Sequence, residues 1–188
     1  MQSPRIEGIV TAFHGDPCDL LEDKVSNVKD SLSTNQSKRL ESAIKEKICI
    51  YPERTGLYRI HTFKEQKNKF KSYTVDIKYE EAKTCTCEDF MFSLEASKGQ
   101  MCKHIWKTHI LITLGVLPEP DEEPYDWFLN EIKQDINFLK GISKNEALSP
   151  NVERMVNLKE EFENTHKIAV DYPDFGRKRA DIVSHLID

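Results

Sequence analysis

Apolar and polar positions alternate in three stretches near the middle of the chain. They are ICIY (residues 48–51), GLYRIHTF (residues 56–63) and SYTVDIKY (residues 72–79), and they are rich in Ile, Tyr, Val and Thr. Alternation with a period of two is typical of a β-strand with one buried face. Turn-like PERTG and the polar KEQKNKFK separate the stretches. The pattern predicts a three-stranded antiparallel meander.

Helical spacing appears on both sides of these strands. An amphipathic helix is predicted within residues 31–47 from four apolar positions: Leu32, Leu40, Ala43 and Ile44. After the strands, Asp89 is a suitable cap for a short helix. A longer helix is predicted to begin near His104 and to be closed by Gly115.

The last third of the chain is predicted to be helical behind an acidic linker. The linker is PEPDEEP, residues 118–124, whose prolines interrupt regular structure, and we expect it to keep the following helices near the preceding domain without packing them into it. A strong amphipathic helix is predicted over residues 125–140, then a helix capped by Ser149 and a short helix near residues 181–187. The stripe on the first of these is either core or a partner-docking face. It consists of Trp127, Phe128, Leu129, Ile132 and Ile136.

Charge is distributed unevenly along this chain of 188 residues, whose net charge is −5. Residues 61–118 carry nine basic and seven acidic side chains, and residues 119–165 carry five basic and twelve acidic ones. The net-positive segment is therefore followed directly by an acidic one. No apolar run approaches the ~20 residues of a membrane helix, and no secretory signal is visible at the N-terminus. We expect a soluble, intracellular protein, where clustered cysteines favour a metal site over disulfides.

Four side chains with the chemistry of zinc ligands lie within one short segment, TCTCEDFMFSLEASKGQMCKH. They form two pairs, each separated by one residue: Cys85 with Cys87, and Cys102 with His104. A structural zinc takes four thiolate or imidazole ligands in a tetrahedron, so the set predicts one structural Zn²⁺. His109 is a competing ligand, although five residues along a helix is a poor spacing from His104 for a shared ion. The remaining alternative is that all four are ordinary buried side chains.

This pattern, with CEDF after the first pair and CKH at the start of an apolar helix, resembles the SWIM zinc finger, whose signature is C-x-C followed by C-x-H. The resemblance covers residues 48–118 and implies Cys85, Cys87, Cys102 and His104 as the ligands. SWIM fingers occur in chromatin-remodelling ATPases, Mutator-like transposases, some ubiquitin ligases and recombination factors of the Shu-complex type. The resemblance thus implies binding to DNA or to protein, and it does not choose between them.

Lysines interleaved with aromatic residues suggest a nucleic-acid surface in the same segment. Surfaces that contact phosphates and stack bases typically combine basic and aromatic residues in this way. A hairpin kept soluble by lysines has the same composition. The candidate contacts are Lys64, Lys67, Lys69, Lys71, Lys98, Lys103 and Lys107. Cys18 and Cys49 are isolated and are interpreted as packing residues.

These observations predict an α+β fold, in which a small antiparallel β-meander is completed by a zinc-held finger. An N-terminal segment with an amphipathic helix (residues 1–47) precedes this domain (residues 48–118), and an acidic helical extension (residues 119–188) follows it. The predicted function is non-catalytic binding of nucleic acid, with DNA favoured over RNA, in recombination, repair, transposition or regulation. The alternative is a protein-interaction adaptor that uses the finger and the helix over residues 125–140. We expect no membrane contact, no small-molecule substrate and no enzymatic activity, because four strong ligands leave zinc no open position.

Overall fold

Four antiparallel strands form one sheet in the computed structural model, which describes residues 32–64, 69–78, 83–96, 101–142 and 149–184. The strands follow one another in chain order across the sheet. They are β1 (Ile48–Arg54), β2 (Leu57–Lys64), β3 (Lys69–Asp76) and β4 (Thr84–Cys85). The predicted meander is confirmed. The fourth strand, β4, was not predicted, because a strand of two residues is too short to show an alternating pattern.

Polar residues at the ends of β2 and β3 shift the strand boundaries from those predicted. Lys64 pairs with Lys69, and Phe63 pairs with Phe70, so the ladder continues into the segment predicted as a turn. The ladder is formed by backbone N–H and C=O groups, which every non-proline residue carries. Polar residues such as lysine can therefore take part in it. The inner face follows the predicted alternation and is the more apolar one. It carries the fully buried Ile48, Ile50, Tyr58, Ile60 and Val75.

Helices flank the sheet along the described parts of the chain. They are α1 (Thr34–Lys45), α2 (Glu88–Ala96), α3 (Lys103–Thr113), α4 (Pro124–Ile142), α5 (Ser149–Glu163) and α6 (Tyr172–Ser184), with a 3₁₀ turn at Lys167–Ala169. Ser33 caps α1 by accepting a hydrogen bond from the backbone N–H of Gln36 at 3.4 Å. None of the described helices is long and apolar enough to span a membrane.

The last helix was predicted near residues 181–187, but it begins earlier, at Tyr172, with the residues YPDFG. The Asp171 carboxylate accepts a hydrogen bond from the N–H of Asp174 at 3.1 Å, which is the geometry of an N-terminal cap. Pro173 lies in the first turn, where proline costs no helical hydrogen bond. Tyr172 and Phe175 are buried in the core, so tertiary packing reinforces this start.

One core unites the sheet with the C-terminal helices, contrary to the expectation that the linker would keep them from packing together. A single cluster of buried residues includes Ile50 of β1, Ile105 of α3, Phe128 of α4 and Phe162 of α5. The Tyr58 hydroxyl of β2 donates a hydrogen bond of 2.6 Å to the Pro118 carbonyl at the start of the linker. The linker is therefore a short connection over a continuous core. The apolar stripe of α4 is core: Trp127, Phe128, Ile132 and Ile136 are all at least nine-tenths buried.

Candidate metal centre

The first cysteine pair is positioned by the short strand β4. Cys85 pairs with Val75 of β3, so its side chain shares the buried inner face with Val75. Two hydrogen bonds continue this contact past the strand, from the Thr86 N–H to the Thr74 carbonyl at 3.0 Å and from the Thr74 N–H to the Thr86 hydroxyl at 2.9 Å. Cys87 then directs its sulfur to the same side as Cys85, as residues two apart do in extended chain.

The second pair is positioned by the start of α3. Cys102 is the N-cap residue, with extended backbone angles, and its carbonyl accepts a hydrogen bond from the Trp106 N–H at 3.1 Å. His104 lies in the first helical turn and is 3% exposed. The turn of the chain into the helix brings both side chains to the same side, facing β4.

All four predicted ligands converge on one buried site. Their ligand atoms lie within 4.8 Å of one another. His104 Nδ1 is 3.8 Å from Cys85 Sγ and 4.0 Å from Cys102 Sγ. Tetrahedral zinc with bonds of about 2.3 Å to sulfur and about 2.1 Å to nitrogen would separate such atoms by about 3.6–3.8 Å. The residues present therefore fit a zinc ion with little movement.

Crowding of the three thiols makes their ionisation interdependent. The pKa of Cys87 is held well below its usual value, because the thiols of Cys102 and Cys85 donate hydrogen bonds to its sulfur. The pKa of Cys85 is raised, because it donates to Cys102 and Cys87 and because it is buried. The protein alone therefore stabilises one thiolate and disfavours the others. A divalent cation would supply the charge that lets all three ionise together.

Neighbouring groups support this donor set. The Phe90 N–H points at Cys87 Sγ at 3.4 Å, a contact that favours thiolate. The Tyr73 ring packs against the His104 imidazole, with centroids 4.8 Å apart. His104 Nδ1 faces the sulfurs, and its Nε2 is buried without a hydrogen-bond partner in the described part of the chain. An imidazole held by one nitrogen against three sulfurs is oriented for metal ligation.

Other candidate ligands are separate from the site. His109 lies further along α3, half-buried, and is not among the four clustered residues. Cys49 is half-buried on β1 and is also outside the cluster. Cys18 lies outside the described residues. The choice of Cys102 over His109, made from spacing, agrees with the observed cluster.

The predicted lysine surface is only partly compatible with the structure. Lys107 is fully buried, and its ammonium lies 3.5 Å from the Ile44 carbonyl, so its prediction as a nucleic-acid contact is wrong. It lies on the side of α3 that packs against α1, a placement that charge alone does not reveal. Lys71 and Lys103 are ion-paired. Lys64 and Lys69 are the last pair of the β2–β3 ladder. Lys67 and Lys98 lie outside the described residues.

Ion pairs around the cluster were missed by sequence reasoning. Lys71 of β3 pairs with Glu88 at 2.8 Å, and Arg39 of α1 pairs with Asp89 at 3.1 Å. Lys103 pairs with Glu46 at the end of α1. Glu88 and Lys103 each follow directly after a ligand cysteine, so these pairs link the ligand-bearing segments to β3 and α1. The sequence does show charged residues next to the candidate ligands. It does not show which residues pair with them, because the partners are distant in sequence.

Comparison of the chain with protein-family models, with curated proteins and with solved structures finds no match. What the site itself defines is a buried set of three cysteines and one histidine within metal-binding distance, which fits a zinc finger and could hold one zinc ion.

Proposed function

We propose that this is a zinc-binding, non-catalytic nucleic-acid-binding protein whose finger is of the SWIM type. The observation that carries the proposal is the buried cluster of Cys85, Cys87, Cys102 and His104. Its C-x-C and C-x-H spacing matches the SWIM signature, and its position between β4 and α3 joins a sheet to a helix. The same resemblance favours DNA over RNA and a role in recombination, repair, transposition or regulation.

A structural and non-catalytic role for the zinc follows from the donor set. Four protein ligands complete a tetrahedron, whereas catalytic zinc keeps a position open for water or substrate. When bound, zinc supplies the positive charge that stabilises three neighbouring thiolates. The residues of this chain would then hold β4, the start of α2 and the start of α3 in one arrangement.

Support for nucleic acid comes from the finger-containing segment. Residues 61–118 carry nine basic and seven acidic side chains in a chain of net charge −5. Four of these lysines lie within residues 64–71 of the sequence, which also contain Phe70, and Phe70 is 69% exposed. These four are Lys64, Lys67, Lys69 and Lys71. Basic and exposed aromatic residues together are typical of nucleic-acid contacts.

Salt-dependent binding tests the proposal. Zinc-loaded protein is titrated into fluorescein-labelled single-stranded DNA, duplex DNA and single-stranded RNA, and anisotropy gives the affinities. Phosphate contacts release counterions, so we expect binding at about 50 mM salt that weakens roughly tenfold or more by about 200 mM. Absence of binding to all three probes at the lower salt concentration would contradict the proposal.

An adaptor function is the second candidate, favoured by apolar residues exposed on α2. Met91 is 57% and Phe92 is 75% exposed, four and five residues after the candidate ligand Cys87. Exposed apolar side chains on an ordered helix are a common feature of protein-docking sites. On this alternative, wild type binds no nucleic acid, and Phe92→Asp abolishes a partner interaction while it retains zinc.

A further inference from the structure

Helix α1 is held against α3, the helix whose start carries the second ligand pair. Leu40 and Ile44 of α1 are buried there. They form a small apolar cluster with three residues of α3 and its C-cap: Trp106, Ile110 and Leu114. The Trp106 indole N–H also donates a hydrogen bond of 3.0 Å to the Gln36 side chain. Among the described residues the main core contains none from α1, so α1 depends on α3 for its position.

An ion pair joins the end of α1 to the second ligand pair itself. Glu46, the C-cap of α1, pairs with Lys103, which lies between Cys102 and His104 in the sequence. The Lys103 side chain is 23% exposed, so most of it is shielded from water. The apolar cluster and this ion pair together fix α1 relative to Cys102 and His104.

Arg39 reaches from α1 to the segment of the first ligand pair. Its Nη2 lies 3.1 Å from Oδ1 of Asp89, and Asp89 follows Cys87 by two residues. The Arg39 side chain is 20% exposed, and partial burial makes salt screen an ion pair less. One helix therefore contacts both ligand-bearing segments, which come from different parts of the sequence.

The segment after the first ligand pair has few other anchors. Strand β4 ends at Cys85, so Cys87 lies beyond it. Of the described α2 side chains, Phe90 packs in the main core, whereas Met91 and Phe92 are exposed. Segments with few buried contacts open locally more readily than the core does. Opening at the start of α2 would carry Cys87 away from the other ligands.

We propose that Arg39 is a positioning residue for the metal centre, which holds Cys87 beside the ligands of α3 through its ion pair with Asp89 and thereby slows zinc release. Release of a four-coordinate metal requires a ligand segment to open first, so a restraint on the most readily opened segment lowers the release rate. The inference rests on the zinc binding that the proposed function assigns, and it does not depend on nucleic acid.

The rate of zinc transfer to a chromophoric chelator tests this role. Zinc-loaded protein is mixed with excess chelator, and absorbance follows the transfer. Arg39→Gln is expected to accelerate it about 2- to 5-fold, the range for loss of a partly exposed ion pair, and Arg39→Lys, which keeps the charge, should recover much of the wild-type rate. Lys159→Gln is the matched control, because Lys159 is 26% exposed and pairs with Glu163 at 2.6 Å on α5, which carries no candidate ligand. It should release zinc at the wild-type rate.

A double-mutant cycle tests whether Arg39 acts through Asp89. Asp89→Asn should accelerate zinc transfer in the wild-type background. It should accelerate it much less in the Arg39→Gln background, where the partner is already gone. Equal acceleration by Asp89→Asn in both backgrounds would show that the two residues act independently, and it would overturn the inference.

The remaining outcomes separate this inference from the proposed function. A wild-type release rate in Arg39→Gln overturns the positioning role and leaves zinc binding standing. Acceleration by Lys159→Gln equal to that by Arg39→Gln shows a general loss of stability, which also overturns the role. Purified wild type that holds no zinc by metal analysis removes both the inference and the zinc binding on which it rests.

Discussion

At the scale of single residues, ligand identity depends on where the chain turns. Cys102 and His104 are ligand candidates because the chain turns into α3 between them, whereas His109 is carried away by the helix. Cys49 is a chemically identical thiol on β1, outside the cluster. Comparison of Cys102 with Cys49 therefore tests whether a thiol must lie within the cluster to contribute to zinc binding.

Replacement of Cys102 by serine should abolish stable zinc binding. Serine is a poor ligand for zinc, and loss of one of four ligands leaves an incomplete site. Wild type is expected to hold one zinc per chain and Cys102→Ser much less, as measured by metal analysis after gel filtration. Cys49→Ser, the matched control, should keep the wild-type zinc content. Full zinc content in Cys102→Ser would show that Cys102 is not a ligand.

Two glycines with positive φ provide a second contrast at this scale. Gly56 has φ +72° in the β1–β2 turn, and Gly115 has φ +69° after α3. A Cβ at Gly56 would lie 2.8 Å from Lys78 Cβ and 2.9 Å from its Cα, whereas no atom of the described residues lies within 4 Å of a Cβ at Gly115. Both positions need the left-handed conformation, but only Gly56 is also enclosed by backbone.

Alanine at Gly56 should therefore destabilise the protein more than alanine at Gly115. Gly115→Ala is expected to cost about 1–2 kcal/mol for the left-handed backbone. Gly56→Ala adds overpacking of about 1–3 kcal/mol. Urea unfolding followed by circular dichroism gives both free energies of unfolding. Equal costs would mean that the turn at Gly56 moves away from Lys78 without penalty.

At the scale of elements, a buried ion triad joins α6 to α4. Arg179 is fully buried and donates hydrogen bonds to Asp135 at 2.5 Å and to Glu131 at 3.0 Å. Its guanidinium also lies 5.7 Å from the centre of the Phe128 ring. The two carboxylates lie one helical turn apart on α4, on the side that faces the core. Each charged group is thus held in the interior by the others, and the triad specifies how the two helices pack.

Removal of Arg179 should destabilise the protein strongly. Arg179→Ala leaves two carboxylates buried without their cation, which typically costs about 3–5 kcal/mol. Arg177→Ala is the control on the same helix, because Arg177 is exposed and pairs with Asp174 at 3.4 Å; its expected cost is within about 0.5 kcal/mol. Denaturant titration compares the two variants. Equal midpoints would show that the triad contributes nothing to stability.

At the scale of the whole molecule, the candidate metal site and the helical extension share one core. Cys85, Cys87 and Cys102 belong to the same buried cluster as Phe128 and Phe162. A disturbance at the site therefore reaches the packing of the extension. In a small fold with a continuous core, unfolding is expected to be cooperative throughout.

Removal of zinc should accordingly destabilise the entire fold and not the finger alone. Zinc at about 1,000 times its dissociation constant adds about 4 kcal/mol to stability, which corresponds to roughly 8–16 °C in Tm for a chain of this size. Calorimetry compares the protein with and without a chelator, and chelator already saturated with zinc is the control. An unchanged Tm after verified zinc loss would contradict a structural role. Separate transitions for sheet and helices would contradict the single core.

Local features of this chain could be predicted from the sequence because each depends on near neighbours. The alternation at residues 56–63 predicts β2, and the capping serine at residue 33 lies within the predicted start of α1. The paired spacing of Cys85, Cys87, Cys102 and His104 predicts the cluster, because residues two apart in extended chain or at a helix start share one side. These relations span a few residues, and local backbone geometry is enough to satisfy them.

Only the tertiary structure decided the relations between distant segments. The burial of Lys107 between α3 and α1 and the partner of Arg179 on α4 depend on elements far apart in sequence. The pairing of Thr84 and Cys85 with β3 joins residues eight and ten positions apart, which no short periodic pattern reveals. The composition of the acidic linker predicts a domain boundary, yet the helices that follow it pack onto the sheet. Burial of the apolar stripe on α4 stabilises this packing, and the composition of a short connection does not prevent it. Composition and period determine which elements form and which side chains are available. Packing of apolar surfaces between those elements decides which charges are exposed, which are buried in pairs, and which face of the sheet remains outside the core.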